Sequence, residues 1–124
     1  MLLRSDIGKE KKNMIRLNYE GCGYYYLKDT TTQDFIGRCE VRNFKDTYEI
    51  WNVRVFERFR QQGYATLMLK RIIKKFSDKP LILYVWKTNE IAIHLYEKLG
   101  FSIIGEYMQG DAWKMQYMGK HRKG

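Results

Sequence analysis

Val55-Phe56-Glu57-Arg58-Phe59-Arg60-Gln61-Gln62-Gly63-Tyr64-Ala65 is the stretch on which the fold turns. Residues 48–56 before it read as a strand. After it, Ala65, Met68, Leu69, Ile72, Ile73 and Phe76 recur at helical spacing. Thr66, Lys70, Arg71, Lys74 and Lys75 fall on the other side, as expected of a solvated helix face. The segment therefore joins a strand to the N-terminus of an amphipathic helix. Such a terminus offers unpaired amides and a partial positive charge, which suits a diphosphate. Gly63 allows close backbone approach, Ala65 is small, and Arg58 and Arg60 add cations at the entrance. A plain strand-to-helix turn with solvated arginines fits the same residues.

Downstream, residues 80–86 form a nearly continuous apolar run, as in a strand covered on both faces. Ala92, Leu95, Tyr96 and Leu99 then make one stripe of a second helix, which Gly100 ends. Residues 101–107 and 112–118 read as two strands around Gln109-Gly110-Asp111. Upstream, residues 15–19 alternate, Tyr24-Tyr25-Tyr26 favours a strand, and residues 35–44 follow a turn at 29–34. The expected fold class is α/β in the α+β sense. Its twisted sheet is mixed and mostly antiparallel, with about two main helices and no obvious N-terminal helix pair. The strand–helix–strand step from Tyr48 to Trp86 is the parallel one.

The 124 residues are expected to hold one domain at 14–118, a charged arm at 1–13 and a basic tail at 119–124. A net charge of +9 points to an anionic partner: nucleic acid, an acidic membrane surface or a phosphorylated cofactor. Small sheets with exposed aromatics bind single strands, yet no RNA-binding aromatic signature stands here. Cys22 and Cys39 could form one bridge, but without metal-site spacing they read more readily as buried thiols of a reducing cytosol. His94 and His121 have no partners suggesting a triad or a metal site, so no metal is expected. Met1-Leu2-Leu3-Arg4 runs straight into charged residues, and no apolar run is long enough to span a bilayer. The expected location is the cytoplasm.

Two motifs carry a family resemblance. The spacing Val55…Arg60-x-x-Gly63-x-Ala65, between a strand and an amphipathic helix, resembles the coenzyme A loop of the GNAT superfamily of N-acetyltransferases. Gln61 stands where that family often has glycine, and Glu57 where it often has proline. Neither change removes a needed amide. Asn89-Glu90-Ile91-Ala92-Ile93-His94-Leu95-Tyr96-Glu97-Lys98-Leu99-Gly100-Phe101 is similar to the family's fourth-helix segment. The resemblance covers about residues 48–118, while the family's first two helices are not visible.

The resemblance implies transfer of an acetyl group from acetyl-CoA to a primary amine of a protein or small molecule, by direct attack in a ternary complex. A coenzyme A-binding domain without catalysis is the alternative, and a basic nucleic-acid-binding module a more remote one. It implies cofactor contacts at Val53, Arg54, Val55, Arg60, Gln61, Gln62, Gly63, Tyr64, Ala65, Thr66 and Asn89. The backbone of Val53–Val55 would pair with the pantetheine arm as an added strand does; the two valines equally suit core packing. Tyr96 takes the role of acid for the departing thiolate, though a tyrosine on an apolar stripe is often simply core. Asn89 serves equally as a helix N-cap. Glu49 is the candidate base by its offset from Arg60, and an ordinary strand carboxylate reads the same way. The strand Leu83-Tyr84-Val85-Trp86 lacks the glutamate that some members carry there, which leaves Tyr84 and water as substitutes. Exposed strand edges allow a homodimer.

Overall fold

The computed structural model describes residues 7–119. Its elements run α1 (Lys9–Asn13), β1 (Ile15–Gly21), β2 (Tyr24–Asp29), β3 (Phe35–Asn43), β4 (Tyr48–Val55), α2 (Tyr64–Lys75), β5 (Leu81–Trp86), α3 (Glu90–Leu99), β6 (Phe101–Tyr107) and β7 (Ala112–Tyr117). A 3-10 turn, Glu57–Phe59, follows β4. The strands form one sheet in the order β1-β2-β3-β4-β5-β7-β6. The β4–β5 ladder is parallel and the β1–β2, β2–β3, β5–β7 and β6–β7 ladders are antiparallel, the mixed arrangement expected.

Contacts divide the chain into two units that share β4. The first holds the chain up to Val41 and Asn52–Lys75; the second holds Arg42–Trp51 and the chain from Phe76 onward. In the first unit α2 buries Leu67, Met68, Leu69 and Ile72, and β1–β3 bury Ile15, Leu27, Ile36 and Cys39. Each such aliphatic side chain contributes roughly 1.5–3 kcal/mol. Gly37 lets β3 and β4 approach closely: a Cβ there would stand 2.6 Å from the Arg54 carbonyl oxygen. In the second unit Ile50, Leu81, Leu83, Leu99, Phe101 and Met115 are buried, and Tyr48 packs edge-on against Phe76.

The start of the chain departs from the expected loose arm, because residues 9–13 form α1. Five residues cannot sustain a helix alone. Tertiary contacts hold this one: Lys11 Nζ donates to Asp29 Oδ2 at 2.7 Å, and Arg71 donates to the carbonyls of Ile15 (2.6 Å) and Lys12 (3.0 Å). Arg71, expected on a solvated face, is thus a structural tie. The remainder of the arm, and residues 120–124 of the basic tail with His121, lie outside the described residues.

Candidate active site

The segment after β4 turns sharply, then enters α2. Gln61 and Gly63 both hold positive φ, 62° and 88°. The first α-helical bond is Leu67 N–H to the Gly63 carbonyl, 3.1 Å. Among the described residues, none accepts from the amides of Gln61, Gln62, Gly63, Tyr64, Ala65 or Thr66. The first turn of α2 carries no acidic side chain to compete for them. Side chains brace this loop from outside. Arg60 Nε donates to the Val55 carbonyl (2.8 Å), Gln62 Nε2 to the Arg58 carbonyl (3.2 Å), and Phe59 meets Tyr64 edge-on at 6.0 Å. Arg58 lies 3.5 Å from Asp34, so part of its charge is already met.

β4 itself changes character at its middle. The parallel ladder with β5 spans Tyr48↔Leu81 to Ile50↔Leu83, and Val53, Arg54 and Val55 follow it. Between them Asn52 sits at φ 55°, a left-handed conformation that costs a non-glycine residue roughly 1–3 kcal/mol. Its side chain anchors the distortion by donating to Glu40 Oε1 (2.9 Å) and Tyr24 Oη (3.3 Å).

In the second unit, Glu49 is half-buried and accepts two hydrogen bonds. Trp51 Nε1–H donates to Oε1 at 2.7 Å, and the Tyr84 hydroxyl donates to Oε2 at 3.2 Å. The rings of Trp51 and Tyr84 lie 5.2 Å apart, Tyr84 and Tyr107 lie 4.1 Å apart, and the Arg42 guanidinium covers Trp51 at 4.4 Å. Desolvation first, then the neighbouring Glu49 charge, pushes the Tyr84 hydroxyl up to about 12, so it keeps its proton and donates.

Tyr96 is buried, 8% exposed, with its ring 6.1 Å from Phe101. Asn89 caps α3, its side-chain oxygen accepting from Ala92 N–H at 3.2 Å. His94 is exposed on α3. No group of three or more His, Cys, Asp or Glu that could hold a metal exists among the described residues. Both cysteines are free thiols; Cys39 is buried as expected, whereas Cys22, in the turn between β1 and β2, is exposed. No helix among the described residues is long and apolar enough to cross a membrane.

Trp51 was missed by sequence reasoning. Its signal was available, because residues 49 and 51 of one strand share a face. The pairing of Glu49 with Tyr84 carried no such signal, since it depends on strand register.

The sequence model of the acetyltransferase (GNAT) family matches residues 4–101, and the chain belongs to that family. It is 32% identical over 91 residues to a [ribosomal protein bS18]-alanine N-acetyltransferase of Haemophilus ducreyi, covering 71% of this chain and 63% of that one. It is 40% identical over 63 residues to a mycothiol acetyltransferase of Corynebacterium aurimucosum, covering 48% of this chain and 20% of that one. The chain thus spans less than two thirds of each of these relatives. The fold matches the ribosomal-protein-S18-alanine N-acetyltransferase of Escherichia coli with TM-score 0.66 at 18% identity, over 93% of this chain and 90% of that one. It also matches a GNAT family acetyltransferase from Elizabethkingia anophelis with acetyl-CoA bound, with TM-score 0.64 at 22% identity, over 77% and 74%.

Proposed function

We propose that this protein is an N-acetyltransferase that passes the acetyl group of acetyl-CoA to a primary amine by direct attack in a ternary complex. The observation that carries the reading is the run of amides from Gln61 to Thr66 that no described residue accepts from, at a helix start without acidic side chains. A diphosphate satisfies such amides and the helix dipole together. The main chain of Val53–Val55 then receives the pantetheine arm as an added strand would.

The acceptor amine must lose a proton. For a lysine-like amine with pKa about 10.4, neutralisation at pH 7 costs about 4.6 kcal/mol, and a positioned base recovers about 10²–10⁴ in rate. Glu49 takes that proton in this reading, and Tyr96 returns one to the departing thiolate. The acceptor is a protein amine or a small-molecule amine; the names of the two relatives, one acting on a ribosomal protein's alanine, support both. Two free thiols suit a reducing compartment, and we place the protein in the cytoplasm on that ground. β6 is an edge strand with Ile103 and Ile104 exposed, which supports a homodimer measurable by light scattering.

The test is release of free thiol from acetyl-CoA with a panel of amines: a peptide with a free amino terminus, a peptide with a lone lysine, and spermidine. Turnover with at least one supports the reading. Calorimetric binding of acetyl-CoA without turnover on any of them would leave a cofactor-binding domain. Tyr96→Phe should lower kcat by tenfold or more, within the range removal of a proton donor gives, and leave cofactor affinity intact. Equal losses in both would make Tyr96 structural.

A further inference from the structure

We propose that Trp51 and Tyr84 are positioning residues that clamp the carboxylate of Glu49 from both sides and aim it at the acceptor amine. The inference rests on the reading of Glu49 as the proton acceptor and adds to it the groups that make it one.

A glutamate on a strand has three rotatable side-chain bonds, and a solvated one samples many rotamers. Here each carboxylate oxygen has its own donor: the Trp51 indole at 2.7 Å and the Tyr84 hydroxyl at 3.2 Å. A carboxylate offers about four lone-pair positions, so two bonds leave each oxygen able to accept from an incoming amine. The donors are themselves held. The Arg42 guanidinium packs over the Trp51 ring, the Trp51 ring packs against that of Tyr84, and Tyr84 packs against Tyr107. Tyr107, at the end of β6, is exposed and closes the row. Two side chains from β4 and β5 thus hold one carboxylate, and two from β3 and β6 pack against them.

A merely structural use of Glu49 fits this geometry less well. A carboxylate placed only to satisfy an indole N–H and a phenol in a core would be fully buried, whereas Glu49 keeps partial exposure beside an open-ended aromatic row. The arrangement holds a reactive group still without sealing it.

The test is a double-mutant cycle on kcat with the most active amine of the panel above, together with the indole N–H exchange rate of Trp51 by NMR. Trp51→Phe and Tyr84→Phe keep the rings and each remove one donor. Each should lower kcat roughly tenfold, the scale of one hydrogen bond to a charged group, with acetyl-CoA affinity unchanged. In the Glu49→Gln background the same two substitutions should cost almost nothing further, since their effect runs through the carboxylate. Exchange of the Trp51 indole N–H should accelerate in Glu49→Ala. Additive losses on top of Glu49→Gln, or full activity in both phenylalanine variants with Glu49→Gln impaired, would overturn the positioning role alone. Full activity in Glu49→Gln would overturn the base itself, and indole exchange unmoved by Glu49→Ala would refute the clamp regardless of the acceptor.

Discussion

Gly63 holds φ at 88°, a region that a β-branched side chain enters only under strain. Gly63→Val should therefore tip the peptide groups around it and weaken acetyl-CoA binding tenfold or more, with circular dichroism unchanged, because several amide donors move together. Unaltered affinity by calorimetry would remove the diphosphate from this loop. Asp29 shows a different economy. It is 3% exposed and accepts from Lys11 Nζ, the Thr31 amide and hydroxyl, and the Thr32 amide. The Lys11 bond foremost, with those from Thr31, holds its carboxyl well below the usual carboxylate range. A lowered folded value means stability that is present above the unfolded value of 3.8 and is lost as pH falls below it. Asp29→Ala should cost about 2 kcal/mol in urea unfolding and flatten that acid dependence. An unchanged midpoint would make this network decorative.

β4 is the element whose two ends are held in different ways. Tyr48–Ile50 are tied to β5 by a parallel ladder, Asn52 breaks the geometry at φ 55°, and Val53–Val55 lead into the turn before α2. The close approach of β3 at Gly37 sets where that last stretch lies. Gly37→Ala would push a methyl group against the Arg54 carbonyl, 2.6 Å away, and against Val55 Cα at 3.2 Å. Backbone must move to relieve this, so both stability and acetyl-CoA affinity should fall, stability by about 1–3 kcal/mol as in overpacked cores. Loss of stability with cofactor affinity preserved would show that Val53–Val55 do not receive the cofactor. Helix α2 was legible because its apolar stripe repeats every three to four residues. Helix α1 was not, because nothing in Lys9-Glu10-Lys11-Lys12-Asn13 announces the partners that order it.

At the scale of the whole molecule, alkali is the more informative perturbation. Burial pushes the Cys39 thiol up to about 12, and desolvation with the Glu49 charge takes Tyr84 to about 12. Both folded values are raised above unfolded values of 9.0 and 10.0. Their contribution is complete below those unfolded values and is lost as pH rises toward about 12. The melting temperature should fall from about pH 8 to about pH 11, and Cys39→Ser should change the slope. A flat profile would mean that neither group is sheltered. Pattern along the chain was enough to set the order of the seven strands and the two longer helices, to mark the strand-to-helix loop and to carry the family resemblance. Period, turn chemistry and motif spacing are local properties of the chain, and each needs only neighbouring residues to be read. That Arg71 ties α1, that Asn52 takes positive φ within β4, and that Trp51 and Tyr84 meet on Glu49 emerge only in the folded chain. Those pairings join residues far apart in the chain, where strand register and packing, rather than periodicity, choose the partner.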